Sequence, residues 1–187
     1  MFLIVPVGLV AIGSVTGFIA LPFEMFELAG RAPILFPAHM VSAALAMLLA
    51  PIVITLRRRP KLHKPLGRLL GAFVVIGGLT ALPVAAMSHS PPIARAGFAV
   101  QGLVWLYLLA AAFAAIRARD LRRHAELMIA MVAVATGAVW FRLITGTAIA
   151  LELPFELIYA LSAWICWMLP LAIVVSKPHR VAASLAS

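Results

Sequence analysis

Few side chains in this chain could do chemistry, and they lie far apart: His39, His63, His89 and His124, a single Arg142 inside an apolar run, and Trp164 and Trp167 of "WICW". A neutral imidazole can ligate haem iron, pass a proton, or only hydrogen-bond a neighbouring helix. His63 and His124 are the pair to weigh as axial ligands of b-type haem, since each stands where a basic segment meets a long apolar run. Arg142 or the neighbouring bases would then neutralise the propionates, and Trp164 and Trp167, about one helical turn apart, would wall the porphyrin. Each residue also has a plainer reading. His63 and His124 could be solvated at an interface, His39 a packing histidine, His89 of "MSHSPP" a loop residue, and the tryptophans interface anchors. The sequence contains no Walker loop, zinc-protease helix or nucleophile elbow, so hydrolytic chemistry has no support. Cys166, the only cysteine, excludes an intramolecular disulfide and a multi-cysteine metal site.

The elements that must position these residues are built almost wholly from apolar side chains. Of 187 residues, 65% are apolar and 11% charged, and the mean hydropathy is +1.12. A water-soluble surface of ordinary charge density cannot be made from such a chain. Counted in spans of about 20 residues, each matched to a hydrocarbon layer of about 30 Å, the sequence holds six: 1–22, 34–56, 66–87, 93–116, 125–151 and 155–175. Period-2 alternation is absent, and helices satisfy every backbone group internally in lipid. The expected fold is therefore all-α, a polytopic bundle of six transmembrane helices. No long linker, soluble domain or internal repeat interrupts it, so residues 1–187 read as one integral membrane domain.

Charge sets the expected orientation. The segment 57–68 carries six Lys or Arg, 117–123 carries four, and Lys177 and Arg180 follow the last span. With six alternating helices these fall on one side, whereas Arg31 and Arg95 share the other with Glu24, Glu27, Glu152 and Glu156. Such segregation marks cytoplasmic loops, so both termini are expected in the cytoplasm of a bacterial inner-membrane protein. The net charge of +9 then reflects topology and anionic phospholipid head groups, with Arg57, Arg58, Arg59, Lys61, Arg122 and Arg123 facing the lipid surface. A nucleic-acid partner is not expected, because no aromatic-rich soluble module accompanies the bases. The opening "MFLIVPVGLVAIG" lacks the basic n-region of a secretory signal and reads as a retained helix.

Helical spacing shows which faces point inward. His39, Ala43, Ala46 and Ala50 form a small-residue stripe on the second span, and Gly67, Gly71 and Gly78 mark one face of the third. Pro65 suits the first turn of a helix, which would place membrane entry just after His63. His124 and Arg142 are eighteen residues apart, so they share one azimuth of the fifth span, separated by about 27 Å. An ionised Arg142 facing lipid would cost about 2.5 kcal/mol or more, so that face is directed into the bundle with Glu152 or Glu156 as partner. A polar cluster of His39, His89, Arg142 and Glu156 in the outer half follows. Gln101 and Trp105 share a face of the fourth span and need internal partners for their polar groups.

The order of "HKPLGR" (63–68), "RDLRRHAELM" (119–128), Arg142 and "WICW" (164–167) resembles the bacterial predicted membrane proteins grouped as domain of unknown function 2306. The resemblance covers about residues 34–176 and extends to His39. It implies the helical membrane fold and no established activity. Two function classes are carried forward. One is a non-enzymatic membrane protein, either an accessory subunit of a larger membrane complex or a carrier of protons or small molecules, resting on His39 and Arg142. The other is a b-type haem electron-transfer module resting on His63 and His124.

Overall fold

The computed structural model describes residues 23–176, together with Gly13. The span expected over 1–22 and the basic residues Lys177 and Arg180 lie outside the described residues. Six helices follow in order: α1 (Phe23–Arg31), α2 (Leu35–Thr55), α3 (Pro60–Met87), α4 (Pro92–Arg117), α5 (Leu121–Ala150) and α6 (Phe155–Ser176), with a 3-10 turn at Leu56–Arg58 after α2. No strand occurs among the described residues. Five of the helices, α2 to α6, are long and apolar enough to cross a membrane. Large apolar side chains cover the exterior, Ile34 and Tyr107 being 78% and 69% exposed. An apolar exterior of that extent has lipid, not water, as its solvent.

The helices overrun the spans read from hydropathy. α3 begins at Pro60 rather than residue 66, with Pro60 in its first turn, where a missing N–H costs nothing. Pro65 lies inside the helix, and so does His63, so the helix itself starts before the expected point. α5 begins at Leu121 rather than 125, because the Asp120 carboxylate caps it, accepting from the Arg123 backbone N–H at 2.8 Å. His124 is thus one turn inside α5. The short α1 was not expected, since its polar Glu27 and Arg31 fall in a stretch without an apolar run.

The chain divides into two compact units, Met1–Ser90 and Pro91–Ser187. In the first, α2 and α3 form an antiparallel pair. Ala44, Ala46, Ala50 and Val53 of α2 are buried, as are Leu70, Val74, Gly77 and Gly78 of α3, so small residues let the helices approach closely. A cluster of Leu28, Ala32, Phe36, Met40 and Ala44 fixes α1 onto one end, against Val84 and Met87. In the second unit, α6 packs on both α5 and α4. Gly97 admits the backbone of Ala163, and Gly137 admits Trp167.

Two joints of the second unit are built alike. After α4, Arg119 takes φ 62°, with the Asp120 N–H bonded to Ala115 O at 2.9 Å. After α5, Glu152 takes φ 52°, with the Leu153 N–H bonded to Ala148 O at 2.9 Å. Both are left-handed helix stops that satisfy the last carbonyls, at positions usually held by glycine. Within the helices, the hydroxyls of Ser42, Thr80, Thr136, Thr145 and Thr147 donate to carbonyls of their own helix, so none faces lipid unsatisfied.

Candidate functional site

The three helix-borne histidines share one arrangement. His39 Nδ1 lies 2.9 Å from Gly77 O, His63 Nδ1 3.0 Å from Val53 O, and His124 Nδ1 2.9 Å from Ala112 O. A carbonyl only accepts, so Nδ1 carries the proton in each ring, and in the neutral form Nε2 is the basic nitrogen. In every case the carbonyl belongs to the helix paired with the histidine's own: α3 for His39, α2 for His63 and α4 for His124. Val53 is among the last residues of α2, where carbonyls lack intrahelical partners, so His63 also caps that helix. An N–H to carbonyl bond on the far nitrogen is the support that metal-ligating histidines ordinarily have. His63 and His124 are each half-buried, near the first turn of their helix.

The other residues singled out in the sequence are placed differently. His89 lies beyond α3, its Nδ1 3.5 Å from the Glu27 carboxylate, which also accepts from Arg31 at 3.1 Å. Arg142 is half-buried and donates to Ala138 O of its own helix at 2.9 Å. Its electrostatic neighbour is Tyr159, which packs edge-to-face with Phe98 and Phe141. Glu152 and Glu156 are exposed, and neither pairs with Arg142 among the described residues. The Arg142–Glu contact expected within the polar cluster is therefore not made. The guanidinium instead finds a carbonyl one turn back.

The tryptophans serve the packing of the second unit. Trp167 is 4% exposed, its indole N–H bonded to Ala163 O at 3.0 Å. Trp164 donates to Ile93 O of α4 at 3.0 Å, and the two rings are tilted by 37° at 6.2 Å. Gln101 donates to Val134 O at 3.1 Å, joining α4 to α5, whereas the buried Trp105 N–H has no partner. Trp167 thus fills a three-helix junction with Gln101 and Gly137.

Among the basic residues, Arg59, Lys61, Arg122 and Arg123 are exposed, while Arg57 and Arg58 are half-buried. Arg57 folds back to within 3.5 Å of Ile54 O, and its buried Nε has no partner. Sequence reasoning missed Glu126, which pairs with both Arg122 (3.1 Å) and Arg123 (3.6 Å). The signal was legible, since a carboxylate three and four residues after two arginines shares their helix face. It also missed the carbonyls of Gly77, Val53 and Ala112 that orient the imidazoles, for which no side-chain pattern exists. No group of three or more His, Cys, Asp or Glu able to hold a metal occurs among the described residues.

A family model described as a predicted membrane protein (DUF2306) matches residues 36–175. No curated protein and no solved structure matches the chain.

Proposed function

Since the chain belongs to the DUF2306 family of predicted membrane proteins, we propose that it is a b-type haem-binding, electron-transfer module of the bacterial inner membrane, in which His63 and His124 are each a residue that would hold a haem iron. The observation that carries this reading is the tautomer of each ring, held by an Nδ1–H bond to Val53 O for His63 and to Ala112 O for His124. Each ring then offers Nε2 as a neutral donor, the chemistry an axial position needs. Bound haem would supply one-electron transfer. The chain's part is to hold each imidazole in one tautomer.

The topology that goes with this reading has six spans and both termini in the cytoplasm, with the basic segments against anionic head groups. Electron donor and acceptor would be partners in a larger membrane complex. The proton- or anion-handling alternative rests on Arg142, whose guanidinium donates to Ala138 O of its own helix.

The test is spectroscopic. Protein expressed with added haem and purified in mild detergent is expected to show a reduced-minus-oxidised Soret shift, lost in His63→Ala and in His124→Ala but kept in His39→Ala. A wild-type protein that folds but shows no Soret band refutes the reading. A spectrum indifferent to both substitutions refutes the ligand assignment.

A further inference from the structure

A groove of about 180 Å³ opens where α4, α5 and the end of α6 meet. Leu108, Leu127, Ala130, Val174 and Val175 make its wall, and Arg123 and Glu126 stand at its mouth, with Tyr107 alongside. Ala130 lies nine residues into α5, so the wall reaches about 14 Å from the charged start of that helix into the apolar layer. The mouth is built by Glu126, which accepts from Arg122 at 3.1 Å and faces Arg123 at 3.6 Å. Its side chain is only 18% exposed, against 65% and 60% for the two arginines. The carboxylate therefore sits inside and braces two guanidiniums that face outward. Each guanidinium has five N–H donors, most of them unused by this brace. The neighbouring Asp120 carboxylate is occupied at the start of α5, accepting from the Arg123 backbone at 2.8 Å.

We infer that this groove holds one anionic phospholipid, its phosphate on the Arg122–Arg123 fork and the upper part of an acyl chain along the apolar wall. The outward-facing guanidiniums present N–H donors that a phosphodiester's oxygens accept in charge-assisted hydrogen bonds. A zwitterionic lipid brings an additional cation to the same mouth. Tyr107 adds a hydroxyl on an amphipathic ring, the kind of side chain favoured at head-group depth. This goes beyond diffuse attraction of a basic face to a membrane, because Arg123 lines a matching apolar slot and Arg122 is held beside it by the same half-buried acid. It rests on the multi-pass membrane fold and is independent of haem.

Protein stripped of native lipid in a non-ionic detergent is titrated with dioleoyl phosphatidylglycerol or dioleoyl phosphatidylcholine, and retained lipid is counted by native mass spectrometry. One phosphatidylglycerol per chain is expected, in preference to phosphatidylcholine. The Arg122→Gln/Arg123→Gln double variant should weaken its binding roughly tenfold or more, given about 1 kcal/mol per base near a lipid surface. Arg59→Gln/Lys61→Gln, which removes two exposed bases of the first unit, should leave it unchanged. Val175→Trp, at an exposed position on the wall, should weaken both lipids by blocking the slot. Equal retention of the two lipids by the wild type overturns the inference, as does equal loss in the two double variants or full binding by Val175→Trp. Because the readout is lipid, a chain that never binds haem still answers the question.

Discussion

Replacing Gly137 by alanine puts a methyl group where the second unit has no room. The new Cβ would lie 2.8 Å from Trp167 Cβ, 3.0 Å from Gln101 Nε2 and 3.1 Å from Trp167 Cα. Carbon–carbon contacts settle at roughly 3.5–4.0 Å, so α5 and α6 must part by roughly 1 Å or Trp167 must shift with its backbone. Overpacking of this kind costs about 1–3 kcal/mol, and the helical preference for alanine over glycine returns about 1 kcal/mol. The net expectation is destabilisation by about 1 kcal/mol, with a further fraction if Gln101 loses Val134 O. Gly97→Ala should behave in the same way, because its Cβ would meet Ala163 O at 2.8 Å and Ala163 C at 3.1 Å, both backbone atoms. Gly146→Ala is the control: the same chemical change with nothing within 4 Å, expected to be neutral or stabilising by up to about 1 kcal/mol. The two outcomes differ by about 2 kcal/mol, a factor of roughly 30 in the unfolding constant. Equilibrium unfolding by SDS in mixed micelles, followed by tryptophan emission, measures that difference. If Gly97→Ala and Gly137→Ala unfold at the same SDS fraction as Gly146→Ala, the close approach of α6 to α4 and α5 is wrong.

Arg119→Gly and Glu152→Gly should each stabilise the protein by about 0.5–1 kcal/mol, since both side chains now occupy left-handed backbone that glycine enters freely. The same SDS series reads this, and a loss of stability in both would contradict the helix stops described. Arg142→Met should leave the bundle at least as stable as the wild type, because the guanidinium bonds only within α5 and carries a charge that is costly among helices. Destabilisation by more than about 1 kcal/mol, beyond ordinary packing changes, would mean that Arg142 ties helices together after all.

The helical class, the family and five of the spans were legible because lipid leaves the sequence so little choice: a segment without charge for twenty residues can only be a helix. Helix ends were less legible for the same reason. Hydropathy reports where the apolar layer ends, and α3 and α5 continue past it, 28 and 30 residues long, through turns rich in Lys, Arg and His. Pro60 and Asp120 announced those earlier starts, but Pro65 and the charged run 122–126 masked them. The helix stops at Arg119 and Glu152 gave no signal at all, since neither is the glycine that such a conformation favours. Of the candidate site, the residue types were readable and their partners were not. His39 was rightly read as facing a neighbouring helix, yet its acceptor is the Gly77 carbonyl, and backbone acceptors leave no mark in a sequence.

Asp120 holds two posts at once: its backbone N–H closes α4 on Ala115 O, and its carboxylate opens α5 at Arg123. A three-residue joint in which one residue closes both helices has no slack, so an epitope or reporter spliced between Ala118 and Leu121 would undo both helix ends and report on a damaged protein. Between α3 and α4 the two ends are closed by separate residues, the Ser88 N–H on Val84 O and Pro91 O on the Arg95 N–H, so the seam between His89 and Ser90 is the permissive one. A tag placed there can reveal its compartment while leaving the neighbouring turns wound.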